Sequence, residues 1–163
     1  MSATLILGCD PGLSGALAFY DPEANTLAVH DMPTYTVPVN KKERRILDEA
    51  TLADIIGSVA VVYPITAFVE NVHSMPEQGV ASSFKFGVCF GAIRGVLAAL
   101  QIPRTYVEPS VWKRHFKLTS DKDAARRRAS ELLPQHAHLW PLKKHDGRAE
   151  SALIAYYGAQ QRS

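Results

Sequence analysis

The sequence predicts an α/β fold. We expect a mixed five-stranded sheet, a three-stranded antiparallel meander followed by parallel strands, with helices on both faces. Two observations predict it. Residues 3–31 hold three short apolar segments separated by tight turns, which is typical of hairpin-linked strands. Residues 51–107 then alternate helical periodicity with short buried strands, which is typical of parallel strands joined by crossover helices.

The first strand is almost continuously apolar and ends in an acid, Asp10. Core packing does not require a charge there, since charged groups are rarely buried without a partner. Proline and glycine follow it and supply the first turn. The meander is predicted to consist of strands at residues 3–10, 16–20 and 26–31, with turns at residues 11–15 and 21–25.

Residues 33–50 contain two prolines and the charge run 41–45, so we expect a long surface connection with solvated charges. The later elements follow from hydrophobic periodicity and from cap and stop signals. They are a helix from residue 48 or 51 to 63, a strand at 66–70, a loop at 71–79, a helix at 81–100, a strand at 104–107, a helical turn at 109–113, a helix ending at 133 after a capping box at 120–123, a loop at 134–141 and a helix at 146–160.

The predicted helix at residues 81–100 is apolar over most of its circumference. We therefore expect it to be buried on more than one side. Gly87, Gly91 and Gly95 would let another helix approach closely. Two interpretations stay open, a central core helix and the interface of a homodimer.

Length and composition favour a soluble protein with one domain over residues 1–163. The chain is 47% hydrophobic and 21% charged, which is ordinary for a globular protein. No continuous apolar run approaches the roughly 20 residues of a membrane span, and no signal peptide is recognisable. We therefore expect a cytoplasmic protein without a membrane partner. Cys9 and Cys89 have neither disulfide nor zinc-site spacing.

The charges are unevenly distributed along the chain. Residues 1–100 contain 6 Lys and Arg against 10 Asp and Glu, a net charge of −4. Residues 101–163 contain 12 against 6, a net charge of +6. Acids that hold metal together with cations that hold phosphates would suit a nuclease. A merely solvated basic helix surface would give the same composition.

Four acids are placed where they could converge. Asp10 and Glu70 end separate buried strands, and a right-handed crossover would set those strands side by side. Asp146 and Glu150 are four residues apart and so share one helical face, although Asp146 would also suit a helix start for purely structural reasons. Converging carboxylates need cations, and oxygen-only ligation favours Mg²⁺, with Mn²⁺ as a substitute. Two such ions can support phosphodiester hydrolysis.

Four segments in this order resemble the RuvC-type Holliday junction resolvases, a family with the ribonuclease H-like (retroviral integrase) fold. The chain resembles a phage or prophage branch of that family more than the housekeeping branch. The segments are Gly8-Cys9-Asp10-Pro11-Gly12, Val69-Glu70-Asn71-Val72 with the helix after it, Pro109-Ser110-Val111-Trp112-Lys113, and Asp146-Gly147-Arg148-Ala149-Glu150.

The resemblance implies a homodimeric, Mg²⁺-dependent endonuclease that makes two symmetric nicks in a four-way DNA junction. Asp10, Glu70, Asp146 and Glu150 would be the catalytic metal ligands, with two ions in each site. The last two acids are four apart in this chain, whereas the family usually has them three apart. His145 therefore competes with them as a base or as a phosphate contact.

The resemblance also implies a DNA-binding set. Lys113 and Lys85 follow from the motifs, and His73 stands where many members carry a junction-probing phenylalanine. The full set is Lys113, Lys85, Lys122, Arg114, Arg148 and His73. Two other functions stay open: a related nuclease acting on other branched DNA or on RNA–DNA hybrid, and a catalytically inactive DNA-binding module. The sequence does not identify a branch-migration helicase partner.

Overall fold

The structure, a computed structural model, describes residues 4–73 and 79–162. Its strands are β1 (Leu5–Asp10), β2 (Ala16–Asp21), β3 (Thr26–Asp31), β4 (Thr34–Val39), β5 (Lys42–Leu47), β6 (Ile65–Glu70) and β7 (Arg104–Val107). Its α-helices are α1 (Glu49–Val62), α2 (Val80–Ala99), α3 (Pro109–His115), α4 (Ala124–Leu132) and α5 (Asp146–Gln160). Residues 74–78 of the predicted loop lie outside this description.

The predicted five-stranded mixed sheet is confirmed, with the strand order β3-β2-β1-β6-β7. The first three strands form the antiparallel meander, and β6 and β7 add to it in parallel. The helix α1 is the crossover that brings β6 beside β1. Helix α1 begins after Asp48, the first of the two starts considered, because the Asp48 carboxylate accepts a hydrogen bond from the Thr51 backbone N–H at 3.0 Å.

Each face of the sheet carries its own hydrophobic core. On one face, α5 packs directly on β1, because a side chain at Gly8 would overlap backbone atoms of Ser151 and Ala155. That core includes the buried indoles of Trp112 and Trp140. The core of the other face is formed with α1 and α2, and helices thus cover both faces as predicted.

Helix α2 differs from its expected burial. Within the described chain it buries a single line of side chains, Cys89, Ile93 and Leu97. Val80, Phe84 and Val88 are exposed along another side. Within residues 4–73 and 79–162, the interpretation of α2 as a central core helix is therefore wrong, and its interpretation as the interface of a homodimer stays a prediction.

Among the described residues, α2 is also the one helix whose length and composition meet the criterion for a membrane span. Its mean hydropathy is 1.3, and 17% of the window is buried. It contains no long continuous apolar run, because Lys85 and Arg94 interrupt a helix that is otherwise rich in apolar and small residues. Core helices of soluble proteins meet the same criterion, so it assigns no span.

Three predicted local structures are wrong. The surface connection at residues 33–50 contains the β4–β5 hairpin, a separate two-stranded sheet turned by Asn40 and Lys41 at positive φ. The predicted loop at residues 134–141 contains a 3₁₀ helix, Pro134–Leu139. No capping box starts α4, since its N-cap Asp123 makes no side-chain cap and Asp121 instead accepts from the Asp123 backbone.

Candidate active site

Asp10 and Glu70 lie next to each other at the carboxyl ends of the neighbouring strands β1 and β6. Cys9 pairs with Val69 in the parallel ladder between β1 and β6, so the acids that follow them leave adjacent strands at the same level. Glu70 is 7% exposed, and Asp10 is partly exposed. The crossover predicted from sequence therefore brings these two carboxylates together.

Glu70 is held by a tryptophan from the following segment. The Trp112 indole is fully buried, and its Nε1–H donates a 2.8 Å hydrogen bond to Glu70 Oε2. Burial raises the pKa of Glu70, while the Trp112 hydrogen bond and the nearby charge of Lys113 lower it. The indole thus fixes the orientation of the Glu70 carboxylate, which accepts no other hydrogen bond from the residues that the structure describes.

Helix α5 supplies a third carboxylate together with its cation. Lys113 Nζ lies 3.7 Å from Glu150 Oε1 and 5.2 Å from the centroid of the Trp112 ring. Burial raises the pKa of Glu150, the charge of Lys113 lowers it, and the charges of Glu70 and Asp146 raise it further. Glu150 therefore belongs to the same electrostatic cluster as Glu70.

The fourth acid, Asp146, is exposed in the first turn of α5. Its carboxylate accepts a 3.0 Å hydrogen bond from the Gly147 backbone N–H. A side chain at Gly147 would overlap the Ser14 carbonyl oxygen and would place Cβ 3.3 Å from Asp10 Oδ2. Glycine at this position allows the start of α5 to pack against the β1–β2 turn beside Asp10.

A cavity of about 380 Å³ opens beside these acids. Asp10, Asp146 and Lys85 line it, with the β1–β2 turn on one side and α2 on the other. Gly12 contributes to this wall with a φ of +133°, a conformation that L side chains rarely adopt. Lys85, predicted from the second motif, therefore reaches the same space as Asp10.

The cluster is strongly acidic, and the charge of each acid affects the pKa of its neighbours. Burial raises the pKa of Asp10, as do the charges of Glu150, Glu70 and Asp146, while Lys113 opposes them. In the described part of the chain, no three His, Cys, Asp or Glu side chains already lie close enough to share a metal ion. An all-oxygen set whose charges repel one another is nevertheless suited to hard divalent cations, which remove that repulsion on binding.

His145 lies in a second cavity, on the other side of the Leu13–Gly15 turn. Its Nδ1 accepts a 3.2 Å hydrogen bond from the Leu142 backbone N–H. Burial lowers the pKa of His145, and the charges of Arg148 and Lys144 lower it further. Its predicted competition with Asp146 and Glu150 for an active-site position stays a prediction.

The other predicted DNA contacts have different surroundings. The Arg148 guanidinium donates two 2.7 Å hydrogen bonds to Asp31 and one of 3.0 Å to the Leu139 carbonyl, which ties α5 to the end of β3. His73 Nε2 lies 3.1 Å from Glu108 Oε1. Arg114 and Lys122 are exposed, on α3 and before α4. The DNA-binding roles of these residues stay predictions.

Several residues that shape the site carried no expected role. Trp112 belongs to a motif quoted above, and a buried indole N–H needs an acceptor, which is the signal that could have found its bond to Glu70. Gly147 directly follows Asp146. The need for a glycine at this position becomes visible only when α5 is placed against the β1–β2 turn. Glu108 accepts a 2.6 Å hydrogen bond from the Asn71 side chain and contacts His73. No sequence signal distinguished it.

No protein-family model matches the sequence, and no curated protein matches it. Two solved structures from one bacterium are similar over nearly the whole chain. T. thermophilus RuvC in complex with a Holliday junction substrate is 12% identical with a TM-score of 0.59, and the match covers 98% of this chain and 96% of that chain. A second Thermus thermophilus RuvC structure is 14% identical with a TM-score of 0.57, covering 96% of each chain. The chain therefore has the ribonuclease H-like α/β fold of RuvC, as its sequence resemblance implied.

Proposed function

We propose that this protein is a divalent-metal-dependent endonuclease that resolves four-way DNA junctions. The observation that carries the proposal is the placement of Asp10 and Glu70 at the ends of adjacent strands, with Asp146 lining the same cavity as Asp10, in a chain with the fold of RuvC. One of the similar structures is a complex with a Holliday junction substrate, which supports branched DNA as the substrate class.

Asp10, Glu70, Asp146 and Glu150 would hold two Mg²⁺ ions, or Mn²⁺ in their place. The donor set is all oxygen, and its carboxylates raise one another's pKa, so a bound cation gains from relieving their repulsion. When bound, the ions supply an activated water and stabilise the leaving oxygen of the phosphodiester.

The residues around the carboxylates have distinct proposed roles. Trp112 orients Glu70 through its 2.8 Å hydrogen bond. Lys113 lies between Glu150 and the indole, from where its ammonium can pair with a phosphate oxygen of the substrate. Lys85, across the cavity from Asp146, would hold the strand from the side of α2.

A homodimer is the proposed active form. The side of α2 that faces away from the sheet exposes Val80 (89%), Phe84 (72%) and Val88 (41%) at helical spacing. Along the same helix, Gly87, Gly91 and Gly95 have open space where a side chain would be. A two-fold axis beside α2 would bury this surface and present two active sites to a substrate of matching symmetry.

The test is a cleavage panel with the purified protein and Mg²⁺. We expect paired, symmetric nicks in a synthetic four-way junction, and much slower cutting of duplex, flap and RNA–DNA hybrid substrates of the same sequence. Preferential cutting of the hybrid would favour a different ribonuclease H-like activity. No cutting of any substrate in Mg²⁺ or Mn²⁺ would contradict a nuclease.

A further inference from the structure

The β4–β5 hairpin carries a concentration of positive charge that the active site does not use. Residues 34–47 contain four cations and one acid, Glu43. The cations are Lys41, Lys42, Arg44 and Arg45, and all four are exposed. The hairpin is separate from the main sheet and is anchored at its base, where Leu47 is buried.

One of these cations points back to the body of the protein. Arg45 lies on the same side of β5 as Leu47, because side chains alternate along a strand. Its Nη2 donates a 2.7 Å hydrogen bond to the Ser14 hydroxyl in the β1–β2 turn. The Arg45 guanidinium is therefore positioned by a neutral acceptor, which brings no negative charge to it.

Arg45 and Ser14 line the second cavity, of about 360 Å³, together with Lys144. Asp31 and Arg148 also line it, but they neutralise each other through two hydrogen bonds of 2.7 Å. Within residues 4–73 and 79–162, neither Arg45 nor Lys144 has an ion-pair partner. Among the described residues that line this cavity, Arg45 and Lys144 are thus two cations outside any ion pair, and the Ser14 hydroxyl lies beside Arg45.

This second cavity adjoins the cavity of the carboxylates. The same turn, Leu13, Ser14 and Gly15, lines both, and Asp10 and Asp146 lie on its other side. A polyanionic chain with one phosphate at the acids would therefore place a neighbouring phosphate across this turn. Guanidinium, ammonium and hydroxyl donors are the groups that bind phosphate oxygens.

We propose that Arg45, Lys144 and the Ser14 hydroxyl bind a backbone phosphate of the DNA strand being cut, next to the phosphate held at the carboxylates. The hairpin is then the outer wall of a channel that fixes the register of the strand in the active site. This inference rests on the proposed nuclease function and adds to it a strand-positioning site formed by a hairpin outside the main sheet.

The test measures junction binding in Ca²⁺ by Arg45→Gln and Lys144→Gln, with Arg162→Gln as a control that removes one exposed charge near the end of the chain. We expect about tenfold weaker binding for each cavity variant, and a salt dependence reduced by about one counterion. Arg45→Lys, which keeps the charge, should keep most of the salt dependence. Thermal unfolding of each variant checks that it is folded.

A second arm locates the phosphate. Junctions with a single uncharged methylphosphonate at successive positions near the nick are bound to the wild type and to Arg45→Gln. We expect one position at which the methylphosphonate weakens binding by the wild type about tenfold. At that position it should weaken binding by Arg45→Gln only slightly, since this variant already lacks the contact between Arg45 and the phosphate.

If the wild type cuts the junction but Arg45→Gln and Lys144→Gln match Arg162→Gln, or no position couples to Arg45, the phosphate site is wrong and the nuclease proposal stands. If the wild type neither binds nor cuts the junction, the proposed function fails and this site fails with it.

Discussion

The carboxylate of Glu70 is oriented by another side chain, the indole of Trp112. Glu70 is buried near Asp10 and Glu150, and holding several negative charges in a buried site costs free energy. The Trp112 N–H compensates part of that cost and aims one carboxylate oxygen. A metal-binding role for Glu70 would therefore depend on a residue that never touches the metal.

Trp112→Phe removes this donor and keeps an aromatic ring. We expect the pKa of Glu70 to rise, because the hydrogen bond lowers it, and the Mg²⁺ concentration for half-maximal junction cutting to rise about tenfold. Trp140→Phe is the matched control. It removes a buried indole that donates to Ser130 at 2.9 Å, away from the acids.

Both variants should lose about 1–3 kcal/mol of unfolding free energy in urea. Only Trp112→Phe should change the Mg²⁺ requirement. An unchanged Mg²⁺ dependence for Trp112→Phe would show that the indole does not tune the site.

Three of the acids could be predicted from sequence because core packing does not require a charge at their positions. Asp10 and Glu70 end apolar strands, and Glu150 lies in a helix that is rich in apolar residues. The pairing of Trp112 with Glu70 joins residues 42 positions apart. It depends on how α3 returns to the sheet edge, which local patterns do not encode.

At the scale of elements, α5 and β1 form the contact that sets the site. The two backbones approach so closely that Gly8 has no room for a side chain, and Gly147 has none at the first turn. This approach brings Asp146 and Glu150 toward Asp10, and a shift of α5 would separate them.

Gly8→Ala and Gly57→Ala make a matched pair for this contact. A Cβ at Gly8 would overlap backbone atoms of α5, whereas one at Gly57, in α1, meets nothing within 4 Å. We expect Gly8→Ala to lose about 2–3 kcal/mol in urea unfolding. Gly57→Ala should gain about 0.5–1 kcal/mol, because alanine favours a helix over glycine. Equal stability of both variants would contradict the close packing.

The main sheet could be predicted from sequence because its strands are apolar and its crossover handedness is fixed by chain chirality. The β4–β5 hairpin could not be, since Pro38 and the charge run at residues 41–45 favour irregular structure. Pro38 is tolerated because this two-stranded sheet has only edge strands. Asn40 and Lys41 make the turn at φ values of 48° and 62°.

At the scale of the whole molecule, α2 carries the exposed apolar surface through which we propose that the chain dimerises. Sequence patterning predicted an apolar helix but could not tell which side meets the sheet, because apolar residues surround most of it. In the structure its sheet-facing line is buried, and the side with Phe84 is exposed. A second copy of the chain is the partner that we propose for that side.

Phe84→Glu places a charge in the centre of that surface. We expect a monomer in sedimentation velocity, with single nicks in place of paired ones, because burying an unpaired carboxylate is costly. Val61→Glu, at a valine that is 88% exposed on α1, should stay dimeric. A wild type that sediments as a monomer would contradict the proposed homodimer, and a dimeric Phe84→Glu would place the interface elsewhere.

The most direct test of the account compares the wild type with Asp10→Asn on one synthetic four-way junction. We expect the wild type to make two symmetric nicks in Mg²⁺. Asp10→Asn should cut more than about a hundredfold more slowly, because an amide replaces a carboxylate at the centre of the cluster. Its binding to the same junction in Ca²⁺ should stay close to that of the wild type. Undiminished cutting by Asp10→Asn would contradict the proposed active site.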